Sequence, residues 1–515
     1  MPGKPPFENP PFENPVLPGC HPDPSICRVG DDFYLVTSSF EWFPGLPIFH
    51  SRDLVHWRPL GHVLDRPEQL PLDGVRASGG LYAPAIRHHD GTFFVVCTLV
   101  DGTRWSGHFV VTATDPAGPW SEPHRLEGEG FDPSLFFDDD GRAWLTATRL
   151  TGRYKGHTEI WLREFDPAGM RLTGEEHVIW DGAVRGAIWS EAPHLYKIGG
   201  RYLLITAEGG TAEDHAVIAA RADRVTGPYE GDPRNPVLTH RHLGLDQPIM
   251  ATGHADLVET ARGEWWMVLL AVRPYGGYFA NLGRETFLTP VRWEDGWPVA
   301  GPVEPLHAMP DLPEHRWPAE PSCDHFDAPD LAPCWNVRRT PRKHWWTLTE
   351  RPGHLRLRVR PESLADTDCP SFVGRRQQHR DFAAFTALDF VPADEHACAG
   401  LALVQNEDFH VRHVLGSNGL QVVRREQGID TVLAEQPAPP GRVYLGVEAR
   451  GQSYQMRYAV EPGRWQSLGD PVDGRLLSSE VAGGFTGAYL GMYASSQGHP
   501  ADGVADFAWF EYMPL

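Results

Sequence analysis

The chain has 515 residues, with 68 acidic against 46 basic side chains and a formal net charge of −22. That length exceeds one ordinary domain and leaves room for a unit of about 300 residues plus a second one. So acidic a surface repels phosphate backbones and anionic membranes, which excludes nucleic acid and membrane as expected partners, and no stretch approaches membrane-spanning length.

The start of the chain carries no basic patch followed by an apolar run, so no secretory signal is read there. Cys20, Cys27, Cys97, Cys323, Cys334, Cys369 and Cys398 form an odd set without a CxxC pair. Free thiols in a reducing compartment, the cytoplasm, are the expectation. Residues 6 to 15 read PFENP twice. Residues 1–13 are read as an N-terminal extension, and the first copy is left out of the fold.

From 14 to 305 one phrase recurs five times: a small or acidic residue, usually Pro, an apolar strand, a polar turn with Gly, and a second apolar strand. The copies are HPDPSICRVGDDFYLV, YAPAIRHHDGTFFVV, FDPSLFFDDDGRAWLT, EAPHLYKIGGRYLLI and HADLVETARGEWWMVL, aligned at 23, 83, 132, 192 and 255, with intervals of 49 to 63 residues. Hairpins of β-branched and aromatic residues at that period predict radial β-sheets, and five of them predict a five-bladed β-propeller. The first strand of each blade lines the central channel, so Asp23, Asp132, Glu191 and His254 are expected to converge at one end of it. Taken singly, an Asp before Pro is a turn residue and Glu191 a solvated edge charge. Together, three buried like charges are an arrangement that packing alone has no reason to accept.

After about residue 302 the pattern dissolves into Pro- and Glu-rich sequence, and 306–321 is read as a linker. Short segments such as HLRLRV, FTALDFV, AGLALVQ, VYLGVEA and FTGAYLGMYA follow. They predict an all-β, jelly-roll-like β-sandwich over 322–515 that closes a pocket on the propeller. Its last strand offers Phe507 or Trp509 to fill a gap against the first unit.

Four of these strings carry a resemblance: Asn14 to Trp57, FDPSLFFDDDG, WSEAPHLYK and GHADLV. With WNVRRTP, ERPGHLRLR and SFVGRRQQH in the tail, they resemble glycoside hydrolase family 43, in its β-xylosidase branch. The resemblance implies Asp23 as general base, Glu191 as general acid, and Asp132 as the carboxylate that orients Glu191 and raises its pKa. An inverting glycosidase needs that division, with one ionised carboxylate to activate water and one protonated carboxyl to protonate the leaving oxygen. It further implies Arg284 at the sugar hydroxyls and His254 as a channel histidine. No metal is required on this reading, although Ca²⁺ is allowed.

Phe40, Trp42, Phe43 and Tyr82 are expected to wall the sugar pocket. Exo-action on xylo-oligosaccharides, release of xylose from the non-reducing end and an α-L-arabinofuranosidase side activity follow from the resemblance, as does compatibility with a homodimer or homotetramer. The rivals are a main α-L-arabinofuranosidase activity, an endo-arabinanase and a non-catalytic sugar-binding propeller. A protein-interaction propeller would carry Gly-His and Trp-Asp punctuation every 40 residues or so, which this chain lacks.

Overall fold

The computed structural model describes residues 11–244 and 246–515. Five antiparallel sheets follow one another along the chain. Their first strands are Ser25–Val29, Gly80–His89, Phe131–Phe137, Glu191–Ile198 and Met250–Glu259, one per copy of the repeated phrase. These are the blades of a five-bladed β-propeller, here numbered 1 to 5. The ring is sealed by the segment ahead of blade 1. Pro11–Glu13 pairs with Leu306–Ala308, Asn14 Nδ2 donates to the carbonyls of Leu288 and Glu304, and Leu17 bridges Thr286 on blade 5.

The second copy of PFENP is therefore partly a strand of the propeller's closure rather than an extension; the first copy lies outside the described residues. The stretch read as a linker is also laid down on the propeller. His315 N–H donates to Asp53, and the Trp317 ring packs under the Arg58 guanidinium at 4.0 Å.

A two-sheet β-sandwich fills the remainder. One sheet has nine strands, including Phe382–Asp389, Val443–Arg450 and Val504–Pro514; the other has eight, including Ser371–Arg376, Cys398–Val404 and Tyr489–Ser495. The eighth strand is Trp42–Phe43, contributed by blade 1, with Trp42 opposite Arg338 and Phe43 opposite Val337. The two domains thus share a sheet, and apolar residues of blades 1 and 2 run without a break into the sandwich core. Phe507 is spent in that core, and Trp509 sits near Tyr444.

One structural device repeats in every blade. Asp23, Ala83, Asp132, Ala192 and His254 all have left-handed backbone, with φ of 56°, 36°, 51°, 54° and 48°. Left-handed non-glycine residues are strained and persist where the surroundings over-determine them. In blades 2 to 5 a register shift accompanies the strained residue, between Tyr82/Ala85, Phe131/Ser134, Glu191/His194 and Gly253/Asp256. Such a bulge re-aims neighbouring side chains, and here it turns consecutive residues of one strand toward the channel. Blade 5 is therefore in register at His254, one residue before the alignment read from sequence. Glu191 stands one residue ahead of the register that Asp23 and Asp132 share.

Below this level a polar network ties all five blades. Asp256 of blade 5 accepts from Ser25 Oγ of blade 1 (2.7 Å), from both terminal nitrogens of Arg87 of blade 2 (2.9 and 3.2 Å), and from the Tyr196 hydroxyl of blade 4. His194 Nδ1 of blade 4 accepts from Arg87 Nη2 at 2.9 Å and lies 3.0 Å from Ser134 Oγ of blade 3. Burial pushes His194 down to about 3, so it serves as a neutral acceptor.

Candidate active site

The channel mouth opens into a cavity of about 400 Å³ lined by residues from both domains, within the range of small-molecule sites. Asp23, Asp132, Glu191, His254 and Arg284 all reach it, together with Phe40 and Tyr82. Three blade strands and two turns that lead into strands, from four blades distant in sequence, thus deliver the polar groups to one place.

Asp23 is held as an anion. Arg284 Nη1 lies 2.9 Å from its Oδ1, Ser38 Oγ donates to its Oδ2 at 2.5 Å, and His254 Nδ1 is 3.5 Å away. Burial alone would raise its pKa; Arg284, then His254 and Ser38, more than offset this and bring it below the ordinary value. Ser38 also ties blade 1 to blade 2 through the Ala83 N–H at 2.7 Å. Arg284 is fixed in turn by Thr211 Oγ1 at 3.2 Å and the Phe485 carbonyl at 3.4 Å. Its side chain is 11% exposed, so it belongs to the site rather than to a surface strand.

Glu191 and Asp132 are in the opposite condition. Burial, followed by the charge of Asp23, pushes Glu191 up to about 8 against the downward pull of Arg284. Burial, then Glu191, then Asp23 drives Asp132 well above the carboxylate range. The backbone N–H of Ala192, the residue next to Glu191, pulls Asp132 the other way without cancelling the rise. The expectation was that Asp132 raises Glu191; at Glu191 the causes are burial and then Asp23, whereas Glu191 in its turn raises Asp132.

Three aromatic rings wall one side. Phe40 meets Tyr82 edge-on at 5.3 Å, Phe485 stacks on Phe40 at 6.5 Å, and Tyr82 meets Phe485 at 6.2 Å. Phe485 comes from a loop of the sandwich and is pinned by Ser78 Oγ, which accepts its N–H at 2.8 Å. Trp189 and Phe131 line the other side. The Trp189 indole packs against Gly156 and Gly210, where a Cβ would approach to 3.1 and 3.2 Å.

Trp42 and Phe43 do not line the cavity. Phe40, at φ 50°, turns the chain after it bridges Leu81, and the next residues run into the sandwich sheet. Trp42 stacks on Tyr489 at 3.6 Å and is 1% exposed. The aromatic-Pro-Gly string therefore supplies one pocket residue and one strand of the domain junction. Sequence reasoning missed Phe131, Trp189, Thr211, Ser38 and Phe485. Phe131 could have been found, because it occupies the repeat position of Tyr82 and Glu191. Phe485 had no signal, since it sits about 200 residues beyond the last blade motif.

Calcium fits poorly here. Among the described residues no three His, Cys, Asp or Glu side chains are grouped to hold a metal ion, and His254 faces Asp23 alongside Arg284, whose fixed charge already neutralises that carboxylate.

Residues 12–298 match the model of glycosyl hydrolases family 43, and residues 323–513 match the β-xylosidase C-terminal concanavalin A-like domain. The chain belongs to glycoside hydrolase family 43. Among curated relatives, a xylosidase/arabinosidase of Butyrivibrio fibrisolvens is 43% identical over 96% of this chain and 98% of its own length. A non-reducing end α-L-arabinofuranosidase of Bacteroides ovatus is 41% identical over 97% and 94%. The crystal structure of a xylan β-1,4-xylosidase from Bacillus halodurans superimposes with a TM-score of 0.92 at 39% identity, covering 97% of this chain and 99% of that one. Family 43 enzymes are inverting glycoside hydrolases, and the propeller-plus-sandwich architecture is the one seen here.

Proposed function

We propose that the protein is an exo-acting β-1,4-xylosidase that releases xylose from the non-reducing end of xylo-oligosaccharides with inversion, and that it also cleaves α-L-arabinofuranosides. The observation that carries the chemistry is the split among three carboxyls in one cavity: Asp23 paired with Arg284, and Glu191 and Asp132 pushed upward. Asp23 would take a proton from water as that water attacks the anomeric carbon. Glu191 would give its proton to the glycosidic oxygen, so the leaving sugar departs neutral. Asp132 would position Glu191 from the neighbouring blade. Arg284 would both keep Asp23 ionised and meet sugar hydroxyls, and the aromatic rings would pack on the C–H faces of the ring.

Exo-action is supported by Phe485, which the sandwich brings over the propeller mouth so that a chain end fits better than a chain middle. The xylose preference is supported by the names of the xylosidase relatives; the arabinofuranosidase relative supports the second activity. The reaction needs no cofactor on this reading. Cytoplasmic residence, supported by seven free cysteines among the described residues, and assembly as a homodimer or homotetramer are part of the same proposal.

Proton NMR of xylobiose hydrolysis in the first minutes tests it. α-Xylose should appear first and should vanish in Glu191→Ala; initial β-xylose would overturn the mechanism. A kcat/KM for aryl α-L-arabinofuranoside above that for aryl β-D-xyloside would make arabinofuranosidase the main activity.

A further inference from the structure

Two serines of blade 1 make the same pair of contacts at the two levels of the channel. At the floor, Ser25 Oγ accepts the N–H of Ile86 at 3.1 Å and donates to Asp256 Oδ2 at 2.7 Å. At the mouth, Ser38 Oγ accepts the N–H of Ala83 at 2.7 Å and donates to Asp23 Oδ2 at 2.5 Å. Both N–H groups come from the first strand of blade 2, Ala83 inside its register shift and Ile86 just beyond it. A hydroxyl has one proton to give. With a backbone donor already on its oxygen, Ser38 is left to direct that proton at the carboxylate.

Ser38 follows the second strand of blade 1, Asp32–Val36, and is 1% exposed. Its own N–H donates to the Pro22 carbonyl at 3.1 Å, so backbone and side chain together hold two consecutive residues, Pro22 and Asp23. Asp23 has left-handed backbone at φ 56°, a conformation that persists only where the surroundings impose it. Its two oxygens have different partners: Arg284 Nη1 lies 2.9 Å from Oδ1, and Ser38 takes Oδ2. Holding both oxygens fixes the rotation of the carboxylate, and a general base works when its lone pair is aimed at the proton it removes.

The other titratable groups around Asp23 do not replace this contact. His254 and His215 are lowered by burial, Glu191 and Asp132 are raised, and burial pushes up Cys20, Cys97 and Tyr82. Among the described residues, Ser38 alone hydrogen-bonds Oδ2 of Asp23.

We infer that Ser38 is a positioning residue for the general base, linking the Ala83 N–H of blade 2 to Asp23 Oδ2 and so setting the angle at which the carboxylate meets the attacking water. The inference rests on the reading of Asp23 as that base. A hydrogen bond donated to a carboxylate also favours its charged form, so losing it should raise the pH at which the base is protonated.

The test is the pH dependence of kcat/KM on nitrophenyl xyloside, whose leaving group needs no acid, in brief assays of wild type, Ser38→Ala and Ser25→Ala. The acid limb of wild type should lie below the ordinary carboxylate value. In Ser38→Ala it should move up by about one pH unit, with the plateau lowered about tenfold, the size expected for one hydrogen bond to a charged group. Ser25→Ala deletes the matching contact to Asp256 and should melt at a lower temperature with its acid limb in place. An acid limb of Ser38→Ala that coincides with wild type, or one that moves equally in Ser25→Ala, would overturn the role of Ser38 and leave Asp23 as the base. Should Ser38→Ala not fold, Ser38→Cys, with a weaker donor in the same place, decides: its limb should move up by less, and an unmoved limb would overturn the role. Hydrolysis that survives in Asp23→Asn would remove the base itself and this inference with it.

Discussion

One carboxyl at the floor of the propeller channel and two at its mouth are in opposite conditions. At the floor, Asp256 accepts from Arg87 twice, from Ser25 and from Tyr196. Burial would raise its pKa, but Arg87 and these partners carry it far below the ordinary carboxylate range. At the mouth, Glu191 and Asp132 have no cation of their own, and burial drives both upward. The two levels stand on the same first strands: His194 is three residues from Glu191, and Asp256 two from His254. A propeller can therefore place a satisfied ion and an unsatisfied acid at two levels of one channel, on the first strands of different blades, the first holding the blades and the second held ready for proton transfer.

The sharpest break in that comparison is removal of the mouth acids. Glu191→Ala should lower kcat on xylobiose about 10³-fold, within the usual contribution of general acid catalysis. On a nitrophenyl xyloside the loss should be far smaller, because nitrophenolate leaves without a proton. Asp23→Asn should lose about 10³-fold on both substrates, since water must be activated in either case. Steady-state kinetics on the two substrates distinguishes the roles; equal losses for Glu191→Ala would remove it as the acid.

At the floor the same kind of change should act on stability. Asp256→Asn leaves Arg87 buried without its carboxylate, and breaking such a pair costs about 3–5 kcal/mol. Urea denaturation should register that loss, while the alkaline limb of the kcat/KM profile at a temperature where the variant is folded should stay in place. A shifted limb without a stability loss would mean that Asp256 acts on the acids directly.

How much of this division was legible in the sequence follows from what repeats. Asp23, Asp132 and His254 were readable because each blade repeats its strand start, and the propeller was readable for the same reason. Glu191 was found too, although its register is shifted by one, since a bulge adds a residue that no alternation pattern marks. The floor network was open to the same reading, because Ser25, Ser134, His194 and Asp256 occupy one repeat position, yet polarity alone does not say that they meet. Trp42 and Phe43 were misplaced because a pocket wall and a strand of a domain junction both call for aromatic residues. Phe485 could not be read at all: its place depends on how the second domain docks, which is set by Trp42–Phe43 pairing with residues almost 300 positions away.

That docked loop gives a smaller, graded test. Phe485→Ala removes the ring that faces Phe40 and Tyr82 but leaves its backbone carbonyl available to Arg284. KM for xylobiose should rise about tenfold, the size expected for losing part of one aromatic contact, with kcat changed less. A variant with unchanged KM would place the sugar away from the sandwich.

The effect that separates the two levels most cleanly is one whose sign is reversed. Glu191 has a folded-state pKa of about 8 against an ordinary 4.5, so the folded protein holds a proton that the unfolded chain releases. By linkage, stability is highest below the unfolded value and falls as pH rises through the window from about 4.5 to 8. Glu191→Gln removes that penalty, so it should match wild type near pH 4.5 and exceed it increasingly toward pH 8, even as it loses hydrolysis. The same raised pKa should appear in wild type as an alkaline limb of kcat/KM near 8. Thermal melts of the two proteins across this range check the point: a Glu191→Gln variant less stable than wild type at pH 8 would mean that the mouth carboxyls are satisfied structural groups like Asp256, and the contrast between the two ends of the channel would be lost.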